Sequence, residues 1–194
     1  MPLSPPTWPT WCARGCEVRN DFILHIVACV GYFLHTEGGN VDYILSIDPS
    51  GDPRGHTGIV LLSYDPDTPA TLVDSWAIPG GVPAFTAWYN VNTKYGLAGH
   101  PRTVWVVEHF VDRQIAGADR SAMLVEGAVR FVRPDVVLSP ASGYKTAVPD
   151  PALKRLGLWF TGDHHADRNS AARHAIRYLK NQKHIPTLKA GWGQ

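Results

Sequence analysis

The chain has 194 residues, is 44% hydrophobic and 18% charged, and carries a formal net charge of +1 at pH 7. This composition excludes a disordered polypeptide, and the length suits one domain with a sizeable core, with room for an appendage. The near-neutral total excludes no partner, because seven basic residues face eleven acidic ones from Val41 to Tyr144, whereas nine face three from Lys145 onward. A basic end beside an acidic pocket suits a protein that holds phosphates while binding metal, and equally suits a plain solvated helix face.

Residues 1–40 differ from the rest. Met1 to Thr10 is rich in Pro and Trp, and Phe22 to Leu34 is an apolar run too short for a membrane span and poorly placed for a signal peptide. Cys12, Cys16, Cys29 and His35 have a spacing that zinc can accept, although the residues between them lack a finger pattern. All three cysteines lie here, and a cysteine-free core fits a reducing compartment. The expected organisation is a poorly ordered tail, or an over-extended reading frame, over 1–40, followed by a domain over 41–194.

Tyr43 to Ile47 is apolar and β-branched enough for a buried strand, and it ends on Asp48. Pro49, Gly51, Pro53 and Gly55 then break regular structure before an apolar strand resumes over Thr57 to Leu62. Asp48 therefore either starts an Asp-Pro turn or ends a buried strand, where a divalent metal would compensate its charge. Thr71 to Ile78 reads as a third strand and Val82 to Tyr95 as a helix, with Phe85, Trp88 and Tyr89 at core spacing. Thr103 to Val111 is a fourth strand with Glu108 in its apolar middle. Asp119 is placed to cap a helix over Arg120 to Val132, with Met123, Gly127 and Val129 suited to close packing. Asp135 to Leu138 is a fifth strand, Ser139 to Val148 a loop carrying Lys145, and Asp150-Pro151 the start of a short helix. Asp163 to Leu179 is a last helix whose beginning is crowded with Asp and His, His165 and His174 being read as structural or exposed.

An acid on the first strand, another on the fourth and one on the last helix resemble the RNase H-like nuclease superfamily. IDPSGDPRGHTG is similar to the Ile-Asp-Pro-Gly start of RuvC-type Holliday junction resolvases, with about three extra residues in the turn, and VVEHF is similar to their strand-four segment. The likeness is to their phage-encoded relatives above all, and it spans about Val41 to Lys180. It implies an α/β fold: a mixed five-stranded sheet, three hairpin-linked antiparallel strands then two parallel ones, flanked by helices.

The resemblance also implies a Mg²⁺-dependent endodeoxyribonuclease acting on branched DNA as a homodimer, in the cytoplasm (a host's, if phage-encoded) and away from membranes. Two Mg²⁺ ions per site, with Mn²⁺ as an alternative, would lie about 3.5–4 Å apart between carboxylates. Asp48 and Glu108 are then metal ligands, and the helix acid completes the site. One register makes Asp167 the first helix acid and leaves Ser170 where a second is expected. The other pairs His164 with Asp167, as in members where His replaces one acid. Lys145 falls where the family carries a basic residue that contacts nucleic acid. A catalytically degenerate junction binder and a nuclease acting on another nucleic acid are the other functions compatible with the same motifs.

Overall fold

Side-chain alternation along the central strand sets the two-sided architecture. In β1 (Asp42–Asp48), Ile44 points to one face and Leu45 and Ile47 to the other, all fully buried. The computed structural model describes residues 41–110 and 120–193. β1 pairs antiparallel with β2 (His56–Tyr64), which pairs antiparallel with β3 (Thr71–Pro79). On its other side β1 pairs parallel with β4 (Thr103–His109), and β4 parallel with β5 (Val137–Pro140). The strand order is β3-β2-β1-β4-β5, the mixed five-stranded sheet expected from the sequence.

One face carries α1 (Val82–Tyr95) and α2 (Ser121–Val132). There Phe85, Trp88, Val125 and Val129 pack with Leu45, Ile47, Ile59, Trp105 and Val107. The other face carries the one-turn α3 (Tyr144–Ala147), the short α4 (Asp150–Arg155), the long α5 (His165–Asn181) and α6 (Ile185–Trp192). Ala171, Ala172 and Ala175 line the buried side of α5 together with Ile176 and Leu179, so the helix backbone lies close to Ile44, Val60, Leu62 and Val106. Each fully buried Ile, Leu or Val contributes about 1.5–3 kcal/mol of transfer free energy.

Several boundaries differ from the sequence reading. Glu108 stands one residue from the end of β4 rather than in its middle. The fifth strand lies two residues later, because Arg133 pairs with Asp135 through its guanidinium and holds that acid in a turn. Gly127 faces solvent and Val125 and Val129 do the packing. The last helix begins at His165 rather than Asp163, since Gly162 (φ 84°) and His164 (φ 51°) are both left-handed. The sequence reading has no counterpart of α6. Residues 1–40, with the cysteine set, and Asp119 lie outside the described residues. Among the described residues no helix is long and apolar enough to cross a membrane.

Candidate metal centre

Strand period and register bring the strand acids together. Asp48 lies on the same face of β1 as Ile44, and Glu108 on the same face of β4 as Val106, so both point to the α5 side. The parallel register pairs Ile47 with Val107, which leaves Asp48 and Glu108 side by side at the carboxyl ends of their strands. Asp48 is opposite Gly58 of β2. A Cβ at Gly58 would overlap the backbone of Asp167, so the missing side chain is what lets the first turn of α5 settle over the strand acids. Asn169 fixes that turn, accepting from the Phe160 N–H at 2.9 Å and donating to its carbonyl at 3.1 Å.

The three carboxylates share one electrostatic environment. Burial pushes the Asp48 carboxyl well above the ordinary carboxylate range. Its hydrogen bond to Glu108 and the charges of Glu108 and Asp167 push it further, against a smaller opposing effect of the Ser170 hydroxyl. Burial pushes Glu108 upward too, but the His174 imidazole, the bond from Asp48 and the charge of Lys145 outweigh it and hold Glu108 below its usual value. The two carboxyls titrate as a pair, with Asp48 the one pushed up and Glu108 the one held down.

Behind Glu108 stands His174, 0% exposed. Its Nδ1 bonds the Ser139 hydroxyl at 2.7 Å, and its Nε2 lies 3.6 Å from Glu108 Oε1, longer than a normal hydrogen bond. Tyr144 covers the imidazole with ring centroids 4.6 Å apart, and its hydroxyl lies 3.4 Å from Ser170 Oγ. On the opposite side of β4, Glu126 accepts from the Phe110 N–H at 3.1 Å and bonds His109 Nδ1 at 2.8 Å, which pins the strand end that carries Glu108.

The structure thus brings Asp48, Glu108, Asp167 and Ser170 together, with exposed Lys145 at the edge, its ammonium 5.8 Å from the Tyr144 ring. His164 is not on the helical face with Asp167. It precedes α5 in a left-handed conformation and stacks on His56, centroids 3.4 Å apart. His56, His164 and Asp167 nonetheless each place a ligand atom within 4.8 Å of the others. Sequence reasoning missed the contributions of His56, Ser139 and His174 to this region. The signals were present: His56 has the parity of Val60 on β2, and His174 follows Ser170 by one helical turn.

Solved structures share this arrangement of elements. Thermus thermophilus RuvC in complex with Holliday junction substrate superposes with a TM-score of 0.51 at 15% identity, over 72% of this chain and 96% of that one. The chain has a RuvC-like fold. A Thermus thermophilus RuvC structure matches with a TM-score of 0.50 at 16% identity and the same coverage. No family model and no curated protein matches the sequence, so the RuvC likeness is one of fold.

The charge reading changes in one respect. Arg155, Arg168, Arg173, Arg177 and Lys180 of the basic end all donate to backbone carbonyls, and Arg173 is also paired with Asp150. Much of that positive charge ties C-terminal segments to one another.

Proposed function

We propose that this protein is a divalent-metal-dependent endodeoxyribonuclease that cleaves branched DNA in the manner of a phage-type Holliday junction resolvase. The observation that carries the reading is the convergence of Asp48, Glu108 and Asp167, two of which lie close enough to share a proton. Carboxylates forced together in this way are hard oxygen donors short of positive charge, and Mg²⁺ or Mn²⁺ fits them. Bound cations there would neutralise the phosphate, activate water and stabilise the leaving oxygen.

The chain's own residues divide the remaining work. Asp48, Glu108 and Asp167 hold the cations, with His164 beside Asp167 as a further ligand. His174 and Ser139 fix the Glu108 carboxylate. Ser170 bonds Asp48, and Lys145 approaches the phosphate from the edge. The same proposal takes residues 41–194 as the nuclease domain, a homodimer as the working form and the cytoplasm as its location.

The test is incubation of the full chain with labelled four-way junction, plain duplex and RNA–DNA hybrid in Mg²⁺, alongside Asp48→Asn and Glu108→Gln. Junction cleavage by the wild type, lost in both variants while junction binding survives, is expected. Binding without cleavage by the wild type would favour a junction-binding protein, and selective cutting of hybrid would move the substrate to another nucleic acid.

A further inference from the structure

We infer that Arg54, buttressed by Asp52 on the loop between β1 and β2, reads the major-groove edge of a guanine in bound DNA and so gives the protein a sequence preference. The inference rests on the nucleic-acid reading above and adds to it a specificity-determining residue outside the metal centre. The loop runs on directly from Asp48 at the end of β1, so a base touched by Arg54 lies close to DNA held at the acids. Ser50 to Gly55 themselves take no part in gathering those acids.

The loop has a firm seat. Ser50 donates its N–H to the buried Thr57 hydroxyl at 3.0 Å. The carbonyls of Ser50 and Gly55 accept from the N–H groups of Gly81 and Gly80 at 2.7 and 2.9 Å. A Cβ at Gly51 would run into the backbone of Ser121, and one at Gly80 into the Asp52 carbonyl, so the loop lies at backbone contact with α2 and the end of β3. On this seat Asp52 accepts from the Arg54 N–H at 2.9 Å, and from Nε and Nη2 of the Arg54 guanidinium at 3.2 and 3.1 Å. The Arg54 side chain is nevertheless 91% exposed.

The chemistry of this pair selects its ligand. The carboxylate occupies the side edge of the guanidinium and leaves the end edge, with parallel donors on Nη1 and Nη2, pointing away from it. An exposed ion pair adds little stability, so its effect is orientation: a long flexible side chain becomes a fixed, planar two-donor fork. The Arg54 hydrogen bonds hold Asp52 below the ordinary carboxylate range, so the couple carries no net charge at neutral pH. Such a couple gains little from a phosphate, because the carboxylate opposes the attraction of the guanidinium. A neutral edge with two adjacent acceptors suits it better. In the major groove guanine offers that edge, through its carbonyl oxygen and neighbouring ring nitrogen, whereas adenine sets a donor beside the same nitrogen.

The probe is a library of four-way junctions randomised around the crossover, from which the full chain selects by binding, with cleavage in Mg²⁺ scored separately. The wild type should favour guanine at a fixed position by roughly 5- to 150-fold over the other bases. Replacing that guanine by 7-deazaguanine, which lacks the ring nitrogen, should forfeit most of the preference in the wild type and change nothing further in Arg54→Ala. Arg54→Lys keeps the charge but not the fork, so it should lose the preference as fully as Arg54→Ala. Asp52→Asn keeps an acceptor for the turn but loses one arm of the buttress, and should narrow the preference. Junction binding without a guanine preference, or with one that survives in Arg54→Ala, would overturn the inference and leave the nuclease reading standing. So would a preference retained in Arg54→Lys, which would mark a point-charge contact with phosphate. Guanine-selective binding without cleavage would sustain the inference while counting against the nuclease centre, and a wild type that binds no DNA would overturn both.

Discussion

His174 Nε2 lies 3.6 Å from Glu108 Oε1, while the other nitrogen of the same fully buried ring is tied to Ser139 at 2.7 Å. The imidazole therefore cannot turn without breaking a buried bond, and it keeps its other nitrogen facing the Glu108 carboxylate. With Glu108 as the proposed metal ligand, a neighbour that positions it is expected to change metal affinity or activity by about 10–100-fold when removed. His174→Ala is expected to lose divalent-dependent stabilisation and cleavage by that factor, with partial recovery in His174→Gln. A His174→Ala protein with unchanged divalent affinity would reduce the ring to core packing.

Asp48→Asn should raise the stability of the metal-free protein. An acid whose pKa is raised in the folded state binds its proton more tightly there than when unfolded. Its contribution to stability is therefore greatest at low pH, and falls as pH rises from the ordinary carboxylate value through the elevated one of Asp48. Above that window the full penalty remains, and an amide escapes it. Each kcal/mol recovered is worth about 2–4 °C in Tm for a chain of this size. In EDTA at neutral pH the variant should melt higher than wild type, and adding Mg²⁺ should narrow or reverse the gap. A lower Tm in EDTA would contradict the strained-acid account.

Two glycines should respond oppositely to alanine. At Gly58 a Cβ would overlap the backbone of Asp167, so Gly58→Ala must move α5 away from the strand acids. The expected result is destabilisation of about 1–3 kcal/mol, with loss of metal binding beyond what stability explains. At Gly127, inside α2, a Cβ meets nothing within 4 Å, and alanine should stabilise by about 0.5–1 kcal/mol. Denaturant melts of both variants check the pair, and equal tolerance at the two positions would contradict the close approach at Gly58.

Lys145→Gln should weaken junction binding evenly across sequences. If Lys145 contacts a phosphate, the plot of log affinity against log salt should become shallower by about one. Titrations at several salt concentrations decide it, and an unchanged slope would remove Lys145 from the DNA surface.

A fragment spanning residues 41–194 should fold and retain whatever cleavage the full chain has, because every described strand and helix lies within it. An insoluble or inactive fragment, beside an active full chain, would make residues 1–40 integral to function.

The sheet and the three acids were legible because each rests on local pattern. Apolar runs end at Asp48 and near Glu108, and turn residues separate them. The imidazoles were not, because their roles depend on register. Only the pairing of Asp48 with Gly58 shows that β2 turns His56 toward α5, and only the packing of α5 on β4 sets His174 against Glu108. His164 was placed on the helix by spacing, but left-handed backbone at Gly162 and His164 starts the helix one residue later. The basic C-terminal end misled in degree, because counting charges does not reveal that Arg155, Arg173 and Arg177 bond carbonyls within the fold.

The proposed ligands are drawn from β1, β4 and the first turn of α5, so they are dispersed over most of the domain's length. During synthesis the strand acids leave the ribosome well before Asp167 does, at about 5–20 residues per second. Until α5 emerges and docks over Gly58, a nascent chain carries two acids without the third and without His174 to orient one of them. On the proposed reading an unfinished polypeptide is thereby disarmed, because the third acid arrives only with the last long helix.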